Sequence, residues 1–333
     1  MDPITQQAVL ATAGAAAGGD PVYVDDVFST DLWAGTATAG HTITTGIDIA
    51  TEGGMVWIKN RTGQNPPTIR DTERGANKGL DTNSNNPEYT SNYAITAFTS
   101  SGFTLGADST VNGNTFDFAG WSFRKAPGFF DVVTWTGNSV SGRQIAHNLG
   151  SAPGFIIVKS YVAGTGGTGW MCYHRSLGNT KAIRMDNGSA ATSASSAYWN
   201  NTDPTSTHFT VGNHEDINTT ANSRSYVAYV FAHDDQSFGT SGNESIIKCG
   251  TFNIPGSGTF DVNLGFEPQF ILYKQISGGM TTPNWYMHDA MRGLAQTSFN
   301  PLYANATTAE SPASTEGLLV VHPTGFKSTS SAH

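Results

Sequence analysis

The stretch Asn148-Leu149-Gly150-Ser151-Ala152-Pro153-Gly154-Phe155-Ile156-Ile157-Val158-Lys159 reads as a turn followed by a short, apolar, β-branched strand that stops at a lysine. The same design returns at Asn263-Leu264-Gly265-Phe266-Glu267-Pro268-Gln269-Phe270-Ile271-Leu272-Tyr273-Lys274. A looser copy runs Asp48-Ile49-Ala50-Thr51-Glu52-Gly53-Gly54-Met55-Val56-Trp57-Ile58-Lys59. From the leucine or isoleucine to the lysine, all three copies have the same spacing, which marks a tandem array.

Other positions recur around these strands. Trp33-Ala34-Gly35, Trp135-Thr136-Gly137 and Lys248-Cys249-Gly250 occupy one slot, near the end of an opening strand in each unit. Asp71-Thr72-Glu73-Arg74-Gly75 and Asp289-Ala290-Met291-Arg292-Gly293 share a D-x-x-R-G turn, for which the second unit has His174-Arg175-Ser176-Leu177-Gly178. A closing strand carries Phe116, Phe118, Trp121 and Phe123 in the first unit and Tyr226, Tyr229 and Phe231 in the second. That alternation predicts a strand with one buried face. Units of roughly 100 to 115 residues suit sandwiches better than propeller blades. The expected fold is all-β: tandem β-sandwiches, jelly-roll or lectin-like, over 25–126, 127–241 and 242–333. The third unit reaches His333 before its copy of the closing strand. The chain is then a fragment, or the unit closes differently, or a strand from the N-terminal region or another subunit completes it.

Composition agrees with a turn-rich β protein. Only 13% of residues are charged, against about 25% in an average domain. Aromatics at 11% are too abundant for a disordered chain. The net charge of −9 speaks against nucleic acid and anionic membranes as partners. No run approaches the ~18 apolar residues of a membrane helix. No lysine or arginine precedes Lys59, which argues against a secretory signal. Cys172 and Cys249 lack metal-type spacing and read as buried thiols.

Residues 1–24 stand apart. Asp2 suits a helix cap, Pro3 its first position, and Ile4 to Ala17 is alanine-rich before Gly18-Gly19. The segment reads either as a frayed tail or as a short helix that attaches to a neighbouring subunit, with Asp2, Pro3, Ile4 and Leu10 as its marks.

The D-x-x-R-G turn admits two readings. In the structural one, Asp accepts local backbone donors, Arg pairs with it, and Gly takes a positive φ. In the functional one, Asp71, Arg74, Asp289 and Arg292, with His174 and His288 nearby, form glycan-contacting corners on which Trp170 or Trp285 stacks. Gly164-Thr165-Gly166-Gly167-Thr168-Gly169 satisfies G-x-G-x-x-G but is followed by a strand-like run, so it reads as a loop. Asp81-Thr82-Asn83-Ser84-Asn85 begins like a calcium loop and then departs from it at Asn86 and Asn92. His214, Glu215 and Asp216 crowd one loop, where paired carboxylates would serve glycoside hydrolysis, yet no other unit echoes them. No catalytic set, cofactor or metal is expected.

Met1-Asp2-Pro3-Ile4-Thr5-Gln6-Gln7-Ala8-Val9-Leu10 and Tyr23-Val24-Asp25-Asp26-Val27-Phe28-Ser29-Thr30 resemble the start of tail-fibre-like virion proteins of marine bacteriophages, including cyanophages. Val56 to Arg61, Asp71 to Gly75, Ser101 to Gly106, Trp121 to Arg124 and Pro153 to Lys159 look like the repeated domain of those proteins. The resemblance implies a virion component assembled in a host cytoplasm and exposed on the released particle. Its partners would be other virion proteins through the N-terminus and a host-surface glycan or protein, with a homo-oligomer, a trimer, expected by analogy. It carries over no catalytic or ligand residues. A polysaccharide-degrading spike and an architectural spacer are the rival expectations.

Overall fold

The computed structural model describes residues 21–162, 168–255, 258–277, 283–294, 301–310 and 319–328. The expected attachment segment, with Asp2, Pro3, Ile4 and Leu10, lies outside them, as does most of the 164–169 glycine run. The protein is all-β, with antiparallel sheets and helices of a single turn.

The first unit has nine strands: β1 (Phe28–Ala34), β2 (His41–Thr44), β3 (Gly54–Asn60), β4 (Thr68–Asp71), β5 (Lys78–Asp81), β6 (Tyr89–Thr90), β7 (Ile95–Thr99), β8 (Gly102–Leu105) and β9 (Asp117–Arg124). They form a large sheet in the order β1-β9-β3-β4-β5-β6 and a small one, β2-β8-β7. Trp33, Ile43, Val56, Ile58, Phe103, Leu105 and Phe118 fill the space between the two.

The second unit repeats the plan with β10 (Phe130–Thr136), β11 (Arg143–Ala146), β12 (Phe155–Ser160), β13 (Met171–His174), β14 (Ile183–Arg184), β15 (His208–Val211) and β16 (Ser225–Phe231). Its sheets are β10-β16-β12-β13-β14 and β11-β15. The third has β17 (Asp261–Asn263), β18 (Phe270–Lys274), β19 (Trp285–Asp289), β20 (Leu302–Tyr303), β21 (Leu319–His322) and β22 (Gly325–Ser328), paired as β18-β19-β20 and β17-β22-β21. Among the described residues every ladder of two or more pairs stays within one unit.

The third unit corrects one expectation. Ile246 to Gly250 forms no strand. The opening strands β1 and β10 pair along their whole length with the closing strands β9 and β16. Among the described residues the third unit has no closing strand, so its opening stretch has no ladder to join.

The closing strand itself needs a second correction. Phe118 of β9 packs in the first sandwich, whereas Ala119, Trp121 and Phe123 point to the other side and are also buried. Both faces are covered because the large sheets of all three units back onto one shared core. Met55, Trp57 and Trp121 from the first unit meet Phe155, Ile157, Trp170 and Tyr229 from the second and Trp285, Met287 and Leu302 from the third. Phe123 lies 5.6 Å from Phe231 and 6.1 Å from Phe270, centroid to centroid, which brings three units to one aromatic cluster. The array is therefore a bundle around a common centre, unlike a solenoid, whose repeats touch only sequence neighbours.

Candidate functional site

The lysines that end the three signature strands perform one job three times. Lys159 Nζ donates to Thr168 O at 2.6 Å in its own unit and to Asn85 O of the first unit at 3.1 Å. Lys274 Nζ reaches Asn187 O and Ser189 O of the second unit at 2.9 and 2.8 Å. Lys59 Nζ reaches Thr307 O of the third at 3.0 Å. Each unit thus holds the one before it, and the first holds the third, so the contacts close into a ring. Burial pulls all three ammonium groups down to about 8.

The D-x-x-R-G turns lie inside this ring. Asp71 accepts Arg74 N–H at 2.9 Å and Arg74 Nε at 2.7 Å, and Gly75 takes φ 102°. Asp289 accepts the same pair from Arg292 at the same distances, and Gly293 has φ 97°. A closing-strand residue of the next unit then caps each carboxylate. Tyr229 Oη donates to Asp71 Oδ2 at 2.7 Å, and Trp121 Nε1 donates to Asp289 Oδ2 at 3.2 Å. Burial pushes the Tyr229 phenol well up, so it remains a donor.

These positions correct the expected glycan corners. Asp71 and Trp170 are fully buried, and Asp289, Trp285, His288 and Arg292 are buried too. The Arg74 side chain is also buried. The tryptophans point at the neighbouring unit, Trp170 Nε1 to Asp81 O at 3.1 Å and Trp285 Nε1 to Arg184 O at 2.8 Å. His174 is half-buried at the same seam, packed 6.0 Å from Phe155, and burial holds it down to about 4. A saccharide meets none of these aromatic faces, because the shared core takes them first. His214 caps the short helix Glu215–Asn218; Glu215 points to solvent while Asp216 is buried and accepts Gly169 N–H at 2.8 Å. The two carboxyls do not face a common groove. Both cysteines are free, and burial pushes Cys249 up to about 12. Among the described residues no cluster of three His, Cys, Asp or Glu could hold a metal.

A different place was missed by sequence reasoning. A cleft of about 260 Å³ opens beside β4, β5 and β6 of the first unit, lined by Pro66, Asp81, Tyr89 and Thr110. Tyr89 Oη donates to Asp81 Oδ1 at 3.0 Å and lies 3.1 Å from Thr68 Oγ1. Behind the tyrosine, Arg70 is fully buried, its guanidinium 5.5 Å from the ring centroid. Nη1 donates to Ala76 O at 3.2 Å, while Nε and Nη2 have no partner. Among the described residues no carboxylate forms an ion pair with it. Gly79 makes room for this stack, since a Cβ there would lie 2.6 Å from Tyr89 Cζ and 2.9 Å from Arg70 Nη2. Burial raises the Asp81 carboxyl above the usual range, against hydrogen bonds from Tyr89 and Thr68 that lower it. Burial likewise lowers the Arg70 guanidinium from its ordinary value.

The fold and these seams define a multi-unit β-sandwich protein whose repeats are fused through one core. The chain belongs to the family described as Domain of unknown function (DUF7483), whose model matches residues 24–333. No curated protein and no solved structure matches it.

Proposed function

We propose that the chain is a structural and adhesive component of a bacteriophage virion, a tail fibre or related appendage. In this reading residues 1–24 dock on other virion proteins and the β units face a host-surface glycan or protein. The observation that supports it best is the closed ring of lysine clamps, which joins three sandwiches into one stiff body. A stiff body that presents loops outward suits an exposed appendage, and repetition multiplies weak contacts through effective concentration. The resemblance of the first ten residues and of the repeated strands supplies the virion context. A homotrimer remains the proposed assembly by analogy; the three-unit ring within one chain would then be one layer of it.

The spacer reading has one observation on its side, the burial of Trp170 and Trp285, which removes the aromatics expected to meet glycan. Labelled protein incubated with intact host bacteria and with their extracted surface polysaccharide separates the readings, with released sugar assayed in the same tubes. Saturable binding without release is the expected outcome. Release would replace it with a depolymerase, and absence of binding to both would leave a spacer.

A further inference from the structure

We propose that residues 4–13 supply the closing strand of the third unit, laid along the free edge of β18 in the place that β9 and β16 take in the other two units. The proposal goes beyond the adhesive reading and does not rest on it. A strand here also fixes the start of the chain at one face of the bundle, where another virion protein can meet it.

The open edge comes first. β3 pairs with β4 on one side and β9 on the other, and β12 with β13 and β16. Among the described residues β18 pairs with β19 alone. Every residue of β3 and β12 is buried, whereas in β18 only Ile271 is. The segments that flank the edge are apolar. Phe252 lies 6.1 Å from Tyr273, centroid to centroid, and Ile254 and Ile276 just beyond them are exposed. An open apolar edge of this kind accepts a strand.

The occupant follows from the order of the chain. β9 runs antiparallel to β3 and ends beside its start, with Arg124 opposite Gly54, and the chain then passes to the next opening strand at Phe130. β16 ends beside the start of β12, with Phe231 opposite Phe155, and leads on to the third unit. By the same rule the strand beside β18 leads into the first opening strand, which starts at Phe28. Phe28 lies 5.9 Å from Phe270, the first residue of β18. Upstream of it, Val22 O accepts Gly239 N–H at 3.0 Å, and Val22 and Val24 pack on the shared core with Ile246, Ile247 and Phe270. The described chain thus begins beside the third unit. A strand that leads into this point ends at the start of β18 and runs antiparallel to it, as β9 and β16 run to their partners.

The sequence suits the place. Ile4, Val9 and Leu10 bring apolar bulk, and Gly18-Gly19 permit a turn before Val22. The alanines match Ala119, Gly120 and Ala228, the small residues of the two closing strands. The aromatics Tyr229 and Trp121 each cap a turn aspartate of the preceding unit in the ring. The unit preceding the third presents His174 there, so its closing strand needs no such donor. Of the other stretches outside the described residues, only 311–318 is as long as β16, and it holds Pro312 and Gly317.

Hydrogen exchange of the full chain, read amide by amide, tests the assignment. The β18 amides that face away from β19 are expected to be protected, as those of β3 and β12 are. Successive residues of a strand point their N–H groups to opposite sides, so Val9→Pro or Leu10→Pro removes a donor to β18. At least one of the two should speed exchange in β18 by about tenfold or more, with the rates in β3 and β12 unchanged. Unprotected β18 amides in the parent chain overturn the proposal, and so does protection that neither proline disturbs. Protection that fades on dilution overturns it too, since the strand then comes from a second copy.

Discussion

At the scale of single residues, buried polar groups do more than the hydrophobic pattern suggests. Tyr229 spans two units with one hydroxyl: it donates to Asp71 and receives Arg74 Nη2 at 3.2 Å. Tyr229→Phe keeps the ring in the shared core and removes only that bridge. Leaving a buried carboxylate short of a donor costs about 1–3 kcal/mol, and urea unfolding should show it. A loss below about 0.5 kcal/mol, the range of ordinary surface changes, would mean the bridge is idle. The clamp lysines make a pH prediction. Their folded values near 8 lie below the ordinary 10.5. The unfolded chain therefore holds more protons between those limits, and unfolding free energy rises with pH across that window. Urea midpoints taken between pH 7.5 and 9.5 should climb. In Lys159→Met the climb should be shallower, and an identical slope would sink the assignment.

At the scale of elements, the signature strands were legible and their surroundings were not. Phe155 to Val158 announces a strand because four β-branched or aromatic residues follow a Gly-Ser-Ala-Pro-Gly turn. The structure places β12 there, and β3 and β18 at its copies. The D-x-x-R-G geometry was also readable, since its bonds are local. What lies on the other side of a strand is not local. Phe118 and Trp121 look like one alternating face in sequence but serve two different cores. Trp170 and Trp285 look like loop aromatics until the neighbouring unit covers them. The cleft was invisible for the same reason: Pro66, Asp81, Tyr89 and Thr110 come from four separate segments, and no spacing rule joins them. One sequence oddity gains a physical account. The second unit alone replaces the Asp and Arg of the turn, with His174 and Leu177. Its carboxylate would be capped by a closing strand of the third unit, which the described residues lack. A buried aspartate without its cap is costly, and a histidine held neutral with a leucine beside it is not.

At the scale of the whole molecule, the shared core changes what a repeat means here. In a string of independent sandwiches each unit buries its own apolar surface and melts by itself. In this chain the inner faces of the large sheets cover one another, so a unit cut out alone exposes Trp57, Trp121 and Phe123, or Phe155, Trp170 and Tyr229. Separating the units also strands Lys59 and Lys159 beside vacated carbonyl partners. The intact chain should therefore unfold in one cooperative transition, with calorimetric and van't Hoff enthalpies in agreement. A fragment spanning residues 25–126 should aggregate or bind a hydrophobic dye, although its small sandwich core is complete. Differential scanning calorimetry of both decides the matter. Two or three resolved transitions in the chain, together with a fragment that melts sharply and stays soluble, would return the protein to beads on a string. The clamps would then be contacts between finished domains, and stiffness would have to come from the linkers.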